Sequence, residues 1–480
     1  MSEHAHLTAA EIRERVGHPI VDADGHFMEF MPLVDDEIVT YLEEAGGAAL
    51  RDRFLASQSQ VMDTAVFADR RSDPSIVDNW RAMPSWWGNP VSDPLDRATA
   101  YLPQLMNERL GELGIDFMLI YPSWTLGFLE IRDDALRAPV CRAANRYVAN
   151  LFSGLRDRFE PAALIPMHTP EEAVAEINFA ARDLGFKSVV LHGFAHRAVG
   201  AGSTRLDFFG LDSPFDYDPV WAACVENRLA PAFHSSLQSH HQGRSITNYV
   251  HNHVNGIASA HQVLCKSLFL GGVYRRFPQL RVGFLEGGVA WAAGLLADLI
   301  GHWEKRGGHA IGGLDPAILD VEGVLELVDK YGTPDMVRQR DRIGAHLSRA
   351  PGRPAELDEF ARAGVTSIED ILEPFENRLF FGCEADDPLI GVGYDLNFEG
   401  REAALRPIIG SDVSHWDAPV MNQVIVEAYE LLERGLVSPE QFKQFTFTNP
   451  VLLHGGANPS FFAGTAVESA AGEVLRATGA

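Results

Sequence analysis

"AALIPMHTPEEAVAEINFAARDLGFKSVVLH", residues 162–192, holds two short apolar runs around one amphipathic stretch. "AALIPM" (162–167) and "KSVVLH" (187–192) are apolar throughout rather than alternating, the pattern of strands covered on both faces of a parallel sheet. Between them, residues 169–185 read as a helix. Thr169, Pro170 and Glu172 form its start and Gly185 its stop. Strand, helix, strand within about 30 residues is a βαβ unit.

Working outward, the same kind of run recurs. "PIVDAD" (19–24), "DFMLIY" (116–121), "APAFHS" (231–236), "RVGFLE" (281–286), "RLFFGC" (378–383) and "PIIGSD" (407–412) bring the total to eight. "DPVWAACVENRL" (218–229) reads as another intervening helix, with Asp218 as cap. Eight strands alternating with helices predict an α/β fold, a (β/α)8 TIM barrel. An open doubly wound sheet is the alternative, but no G-x-G-x-x-G follows the first strand. The spacing is uneven: residues 31–105 and 302–375 exceed an ordinary βα connection, so helical insertions are expected after strands 1 and 6. The first contains "MPSWWGNPVSDP" (83–94), suited to a lid or interface. The expected organisation is an N-terminal arm (1–18), one barrel domain (19–460) and a small, polar C-terminal tail (461–480).

Composition narrows the function. The 480 residues are 46% hydrophobic and 22% charged, ordinary for a globular protein. A formal net charge of −26 argues against nucleic-acid or anionic-membrane partners. No run of about 18 apolar residues suggests a membrane span, and the polar N-terminus does not read as a secretory signal, so a cytoplasmic location is expected. Cys141, Cys224, Cys265 and Cys383 are far apart and read as reduced and buried. Neither a P-loop nor G-x-S-x-G is present.

In such barrels the active site lies at the C-terminal ends of the strands. There the sequence places Asp24 and His26 after strand 1, His168 after strand 3 and His192 after strand 4. His234 follows strand 5, Glu286 strand 6 and Asp412 strand 8. Each alone reads as a cap or a loop histidine. Taken together, Asp24, His26, His234 and Asp412 read as the nitrogen and oxygen ligands of a catalytic divalent metal with an open position. Asp24, His26, His234 and Asp412 are the expected ligands, and Glu286 the expected proton shuttle. One ion is expected. Zinc is the first choice, since no thiolate takes part, with manganese and iron as alternatives. Within "VDADGHFMEF" (21–30), Asp22 lies deeper and suits a buried structural hydrogen bond, and Glu29 a capping role. His192, His168, His240, Arg244, His415 and Trp416 are the expected substrate-facing residues.

The D-x-D-x-H-x-x-E opening, "APAFHS", "RRFPQLRVGFLEGGVAW" (275–291) and "IGSDVSHWD" (409–417) together resemble the amidohydrolase-related family, in its aminocarboxymuconate semialdehyde decarboxylase-like branch. The resemblance runs from about residue 19 to "TNPVLLHG" (448–455) and is absent from the two insertions. It implies the same ligand set. It also marks two departures: Asp24 stands where many members have histidine, and Glu286 replaces the usual histidine after strand 6. No lysine ends strand 4 to bridge two metals, which favours one ion. The resemblance implies metal-dependent hydrolysis of a C–N or C–C bond next to a carbonyl, with metal-activated water and Glu286 as general base. The alternative is non-oxidative decarboxylation of an aromatic or enoic acid, and a third reading is a non-catalytic ligand-binding barrel. The expected partner is a small carboxylated or carbonyl-containing substrate, and the expected assembly a homodimer.

Overall fold

The computed structural model describes residues 7–58, 70–85, 92–200, 202–240, 243–349 and 356–479. Eight strands form one parallel sheet in sequential order. They are β1 (Val21–Phe27), β2 (Phe117–Pro122), β3 (Phe159–Ile165), β4 (Ser188–Leu191), β5 (Pro231–Phe233), β6 (Val282–Phe284), β7 (Leu379–Glu384) and β8 (Arg406–Gly410). The sheet curls until its ends meet. Asp412 N donates to Asp24 O at 3.0 Å and His26 N to Val413 O at 3.0 Å. The seam of the barrel therefore runs through residues expected to hold a metal. All eight predicted strands are present, with helices between them and on both long connections, as a (β/α)8 barrel requires.

Residue chemistry sets the local structure as expected in the 162–192 unit. The helix Pro170–Arg182 begins at Thr169, whose hydroxyl accepts from Glu172 N while the Glu172 carboxylate accepts from Thr169 N. The next helix, Asp218–Glu226, differs: Tyr217 precedes it with no side-chain cap, and the Asp218 carboxylate accepts from Arg276 at 2.6 and 2.7 Å.

Side chains alternate along the strands. Leu119, Tyr121, Leu164, Val190, Ala232 and Ile408 belong to one buried cluster. Ile120, Ile165, Leu191, Phe233, Phe284 and Phe381 belong to another, packed with helix residues such as Ala173 and Ile177. The C-terminal segment is no surface tail. Phe461 and Phe462 are buried with the first cluster, and helix Glu468–Thr478 adds Ala471 and Leu475 to it. Phe462 meets Phe117 at the start of β2 with ring centroids 5.5 Å apart, and Lys187 Nζ donates to Phe461 O at 2.8 Å just before β4. This segment packs where the strands begin, opposite the end where the expected ligands lie. The four cysteines are free and buried.

The first insertion opens with a helical stretch, Met31–Gln58, kinked at Gly47, where φ is +70°. Its later part docks on the loop after β5. Met83 N donates to Ser245 O at 2.9 Å, and Trp80 Nε1 to Arg244 O at 2.6 Å. Trp86 and Trp87 lie outside the described residues. No helix among the described residues is long and apolar enough to cross a membrane.

Glu29 staples β1 to the turn after β2. Its buried carboxylate accepts from Ser123 N (3.1 Å), Trp124 N (3.0 Å), Thr125 N (2.9 Å) and Thr125 Oγ1 (2.6 Å). It caps that turn, not the segment that follows it in sequence. Glu29→Ala strands three backbone donors and is expected to cost about 2–4 kcal/mol. Urea unfolding measures this, and an unchanged midpoint would refute the stapling role.

Candidate metal centre

At the C-terminal ends of the strands the ligand-type atoms converge. His26 Nε2 lies 3.4 Å from Asp24 Oδ1, 3.4 Å from Asp412 Oδ1 and 3.2 Å from His234 Nε2. His234 Nε2 lies 3.3 Å from Glu286 Oε2. Two ligands bound about 2.0–2.1 Å from a tetrahedral ion stand about 3.4 Å apart. The spacings around His26 and His234 match that separation, and the ligand-type atoms form two overlapping groups that share His26: Asp24, His26 and His234, and His26, Glu286, Asp412 and His415.

The backbone is bent to achieve this. The β1–β2 ladder shifts register between Asp22 and Gly25, which breaks the alternation just where Asp24 and His26 emerge. A Cβ on Gly25 would sit 2.5 Å from Met118 Sδ and 2.7 Å from Asp22 Oδ2, so a larger residue must displace both. Glu286 (φ +58°) and Asp412 (φ +45°) occupy the left-handed region, which costs about 1–3 kcal/mol each and concentrates at functional sites. Asp22 plays the buried structural part expected of it. Its carboxylate accepts from Asp24 N at 3.1 Å and Ser411 N at 3.0 Å, and from the Ser411 hydroxyl. Burial pushes its pKa up to about 6.

The electrostatics call for a cation. Both carboxylate oxygens of Asp24 are buried and make no hydrogen bond, and the buried Asp412 carboxylate has His415 Nδ1 2.8 Å from its Oδ1. Among the described residues no Arg or Lys pairs with either, nor with Glu286. Burial, and then Glu286, hold Asp24 and Asp412 well above the usual carboxylate range. Glu286 is pushed up to about 8 by burial and then by Asp417. Glu384, at the end of β7, is raised by burial and by Glu286. Burial, then the facing His415 and His234, hold His26 down, so its imidazole is neutral and able to ligate. Buried carboxylates without an Arg or Lys partner among the described residues, beside neutral imidazoles, fit a divalent ion, which Asp24, His26, His234 and Asp412 would hold. A set of two nitrogens and two oxygens suits zinc, manganese or ferrous iron.

A cavity of about 450 Å³ opens beside the centre. Of the expected substrate-facing residues, His192, His240, His415 and Trp416 line it. His415 stacks on His26 with centroids 3.8 Å apart, its Nδ1 2.8 Å from Asp412 Oδ1 and its Nε2 2.8 Å from Ser123 Oγ. Arg244 and His168 are not among its described lining residues. The Arg244 guanidinium donates to Trp80 O at 2.6 Å and so fastens the first insertion. His168 is buried and lines a separate pocket with Thr169 and Arg197, and its backbone N–H donates to Glu172 in the helix cap. The sequence reading missed Trp124, Glu130, Tyr249 and Asp417, which also line the cavity. Asp417 lies two residues past His415 and was within reach of the argument. Glu130 sits in a 3-10 turn with no motif to mark it. No Lys or Arg is among the described lining residues.

A family model described as "Amidohydrolase" matches residues 21–335. Similar folds occur among solved structures. One is a 2,6-dihydroxybenzoate decarboxylase complexed with 2,6-dihydroxybenzoate, at 15% identity over 91% of this chain and 99% of that one, with a TM-score of 0.47. A second is an amidohydrolase of Mycobacterium avium subsp. paratuberculosis K-10, at 14% identity over 92% of this chain and 100% of that one, with a TM-score of 0.49. A third is the 5-carboxyvanillate decarboxylase of Sphingomonas paucimobilis, at 13% identity over 91% of this chain and 98% of that one, with a TM-score of 0.47.

Proposed function

The chain belongs to the amidohydrolase family, and from that premise we propose that it is a divalent-metal-dependent decarboxylase of a small aromatic or conjugated acid. The observation that carries this reading is Glu286. It is a carboxyl whose pKa burial raises to about 8, and it faces a cavity walled by Trp124, Tyr249 and Trp416. In the metal-free protein burial favours the protonated form of that carboxyl, and decarboxylation needs a proton donor at carbon, a role that the pH profile of the metal-loaded protein tests.

Asp24, His26, His234 and Asp412 hold the ion, which supplies positive charge to substrate oxygens. The aromatic walls hold the substrate ring flat. Glu286 gives its proton to the ring carbon that bears the carboxylate. The C–C bond to that carboxylate then breaks, its electron pair returns to the ring, and CO2 departs. Glu286 is left ionised and regains a proton from solvent. Among the described lining residues no Lys or Arg is placed to hold a substrate carboxylate.

Hydrolysis of a C–N or C–C bond next to a carbonyl is the second reading. A dication beside Glu286 favours its ionised form, and ionised Glu286 accepts a proton from water. One panel separates the two: hydroxybenzoates and muconate-like acids beside amides, lactones and vinylogous diketones. Decarboxylation releases CO2 and, in D2O, leaves one deuterium on the carbon that lost the carboxylate. Hydrolysis of an amide or lactone with no CO2 from any acid contradicts the proposal, as does no turnover of any compound by metal-loaded protein.

A further inference from the structure

The barrel mouth carries a second group of ligand-type side chains. Glu130 follows β2 and His192 follows β4. His196 lies on the hairpin strand Ala195–Val199, and His240 on the loop after β5. Glu130 Oε1 lies 3.2 Å from His192 Nε2, and Glu130 Oε2 lies 3.6 Å from His240 Nε2. One ligand atom from each of Glu130, His196 and His240 lies within 4.8 Å of the other two.

Two details point to a cation between them. His192 Nδ1 lies 3.0 Å from Phe194 O. A carbonyl only accepts, so Nδ1 carries a proton, and Nε2, which faces the Glu130 carboxylate, would set a lone pair against it if it carried none. Two lone pairs at that distance repel unless a positive charge lies between them. A proton on Nε2 would supply that charge for His192, but it does nothing for His196. Both ring nitrogens of His196 are shielded from solvent and make no hydrogen bond to any described residue. A buried polar atom without a partner costs about 1–3 kcal/mol. Phe194, 2% exposed, packs against all three imidazoles, with centroids 4.2 Å from His192, 5.9 Å from His196 and 5.1 Å from His240. A ring fixed by packing, with its other nitrogen on a backbone carbonyl, is the usual setting of a metal-binding histidine.

We propose that Glu130, His192, His196 and His240 form a second divalent-cation site at the cavity rim, separate from the Asp24–His26–His234–Asp412 centre. Three imidazoles and one carboxylate suit an ion of the zinc class. Glu130, His192 and His240 also line the cavity that Glu286 faces. A cation held there gives the cavity wall a positive charge that no Lys or Arg of the described lining provides, facing the anionic end of an acid substrate. That use of the charge rests on the proposed function, whereas the site itself does not.

The test counts metal. Full-length protein is dialysed against excess Zn2+, then against metal-free buffer, and bound zinc is measured by mass spectrometry. Two ions per chain are expected for the wild type. One is expected for His196→Ala, for His240→Ala and for Glu130→Gln, each with an unchanged circular dichroism spectrum. Asp412→Ala is expected to keep the rim ion. A wild type with one ion per chain that all three rim variants retain overturns the proposal. Two ions that survive all three substitutions overturn it equally. Using three variants guards against one that does not fold. Failure to release CO2 bears on the proposed reaction and leaves this count unaffected.

Discussion

Asp412→Ala is expected to strip the ion from the main centre and to abolish turnover. Removing a partner that only orients a ligand lowers metal affinity by about 10–100-fold. Removing a ligand costs more, so the expected fall in affinity exceeds about 100-fold. The variant also separates metal loss from unfolding. Asp412 is a buried carboxylate with no Arg or Lys partner among the described residues, and burial and Glu286 push its pKa up. Its ionised form is therefore disfavoured in the fold, and removing it relieves the metal-free protein. Metal-free Asp412→Ala is expected to melt at or above the metal-free wild type, while the rise in melting temperature produced by the main-centre ion disappears. A metal-free variant that melts well below the wild type would mean that Asp412 is structural.

Glu286→Gln is expected to keep the ion and lose the rate. The amide matches the carboxyl in shape but neither gives nor takes the proton. Losing a positioned acid or base typically costs about 10²–10⁴-fold. The pH profile gives the sign. A donor works when protonated, so the wild-type rate falls as pH rises through the pKa of Glu286. That value is about 8 in the metal-free protein, and a bound dication moves the limb to lower pH. In Glu286→Gln the limb disappears. A wild-type rate that instead climbs with pH through this range indicates a base and favours hydrolysis. Loss of metal from Glu286→Gln would make Glu286 a ligand and refute the proton role.

The barrel was legible because strands buried on both faces are written as unbroken apolar runs, such as "KSVVLH" and "RLFFGC". Their ends were less so. The six-residue runs at 231–236 and 281–286 pair as strands over only three residues each, Pro231–Phe233 and Val282–Phe284. The chain leaves the ladder there to aim His234 and Glu286 inward, and Glu286 takes up a positive φ that no propensity foretells. The Asp24 and His26 pair was readable from its place after a strand, but not the register shift that turns it. Arg244 and His168 were placed by loop position alone, which fixes where a backbone passes and not where a side chain points. His196 lies in a hairpin whose sequence gives no hint that it meets Glu130, far earlier in the chain. The C-terminal helix is built from small residues, and its burial rests on Ala471 and Leu475, spaced one turn apart.

The central claim is that Asp24, His26, His234 and Asp412 hold a divalent ion. Anomalous X-ray scattering from crystals grown with Mn2+ or Zn2+ tests it most directly. The account predicts a strong anomalous peak bonded to those four side chains, with bond lengths of about 2.0–2.2 Å. Density there that shows no anomalous signal, with water hydrogen-bonded to the Asp24 and Asp412 oxygens, would contradict it.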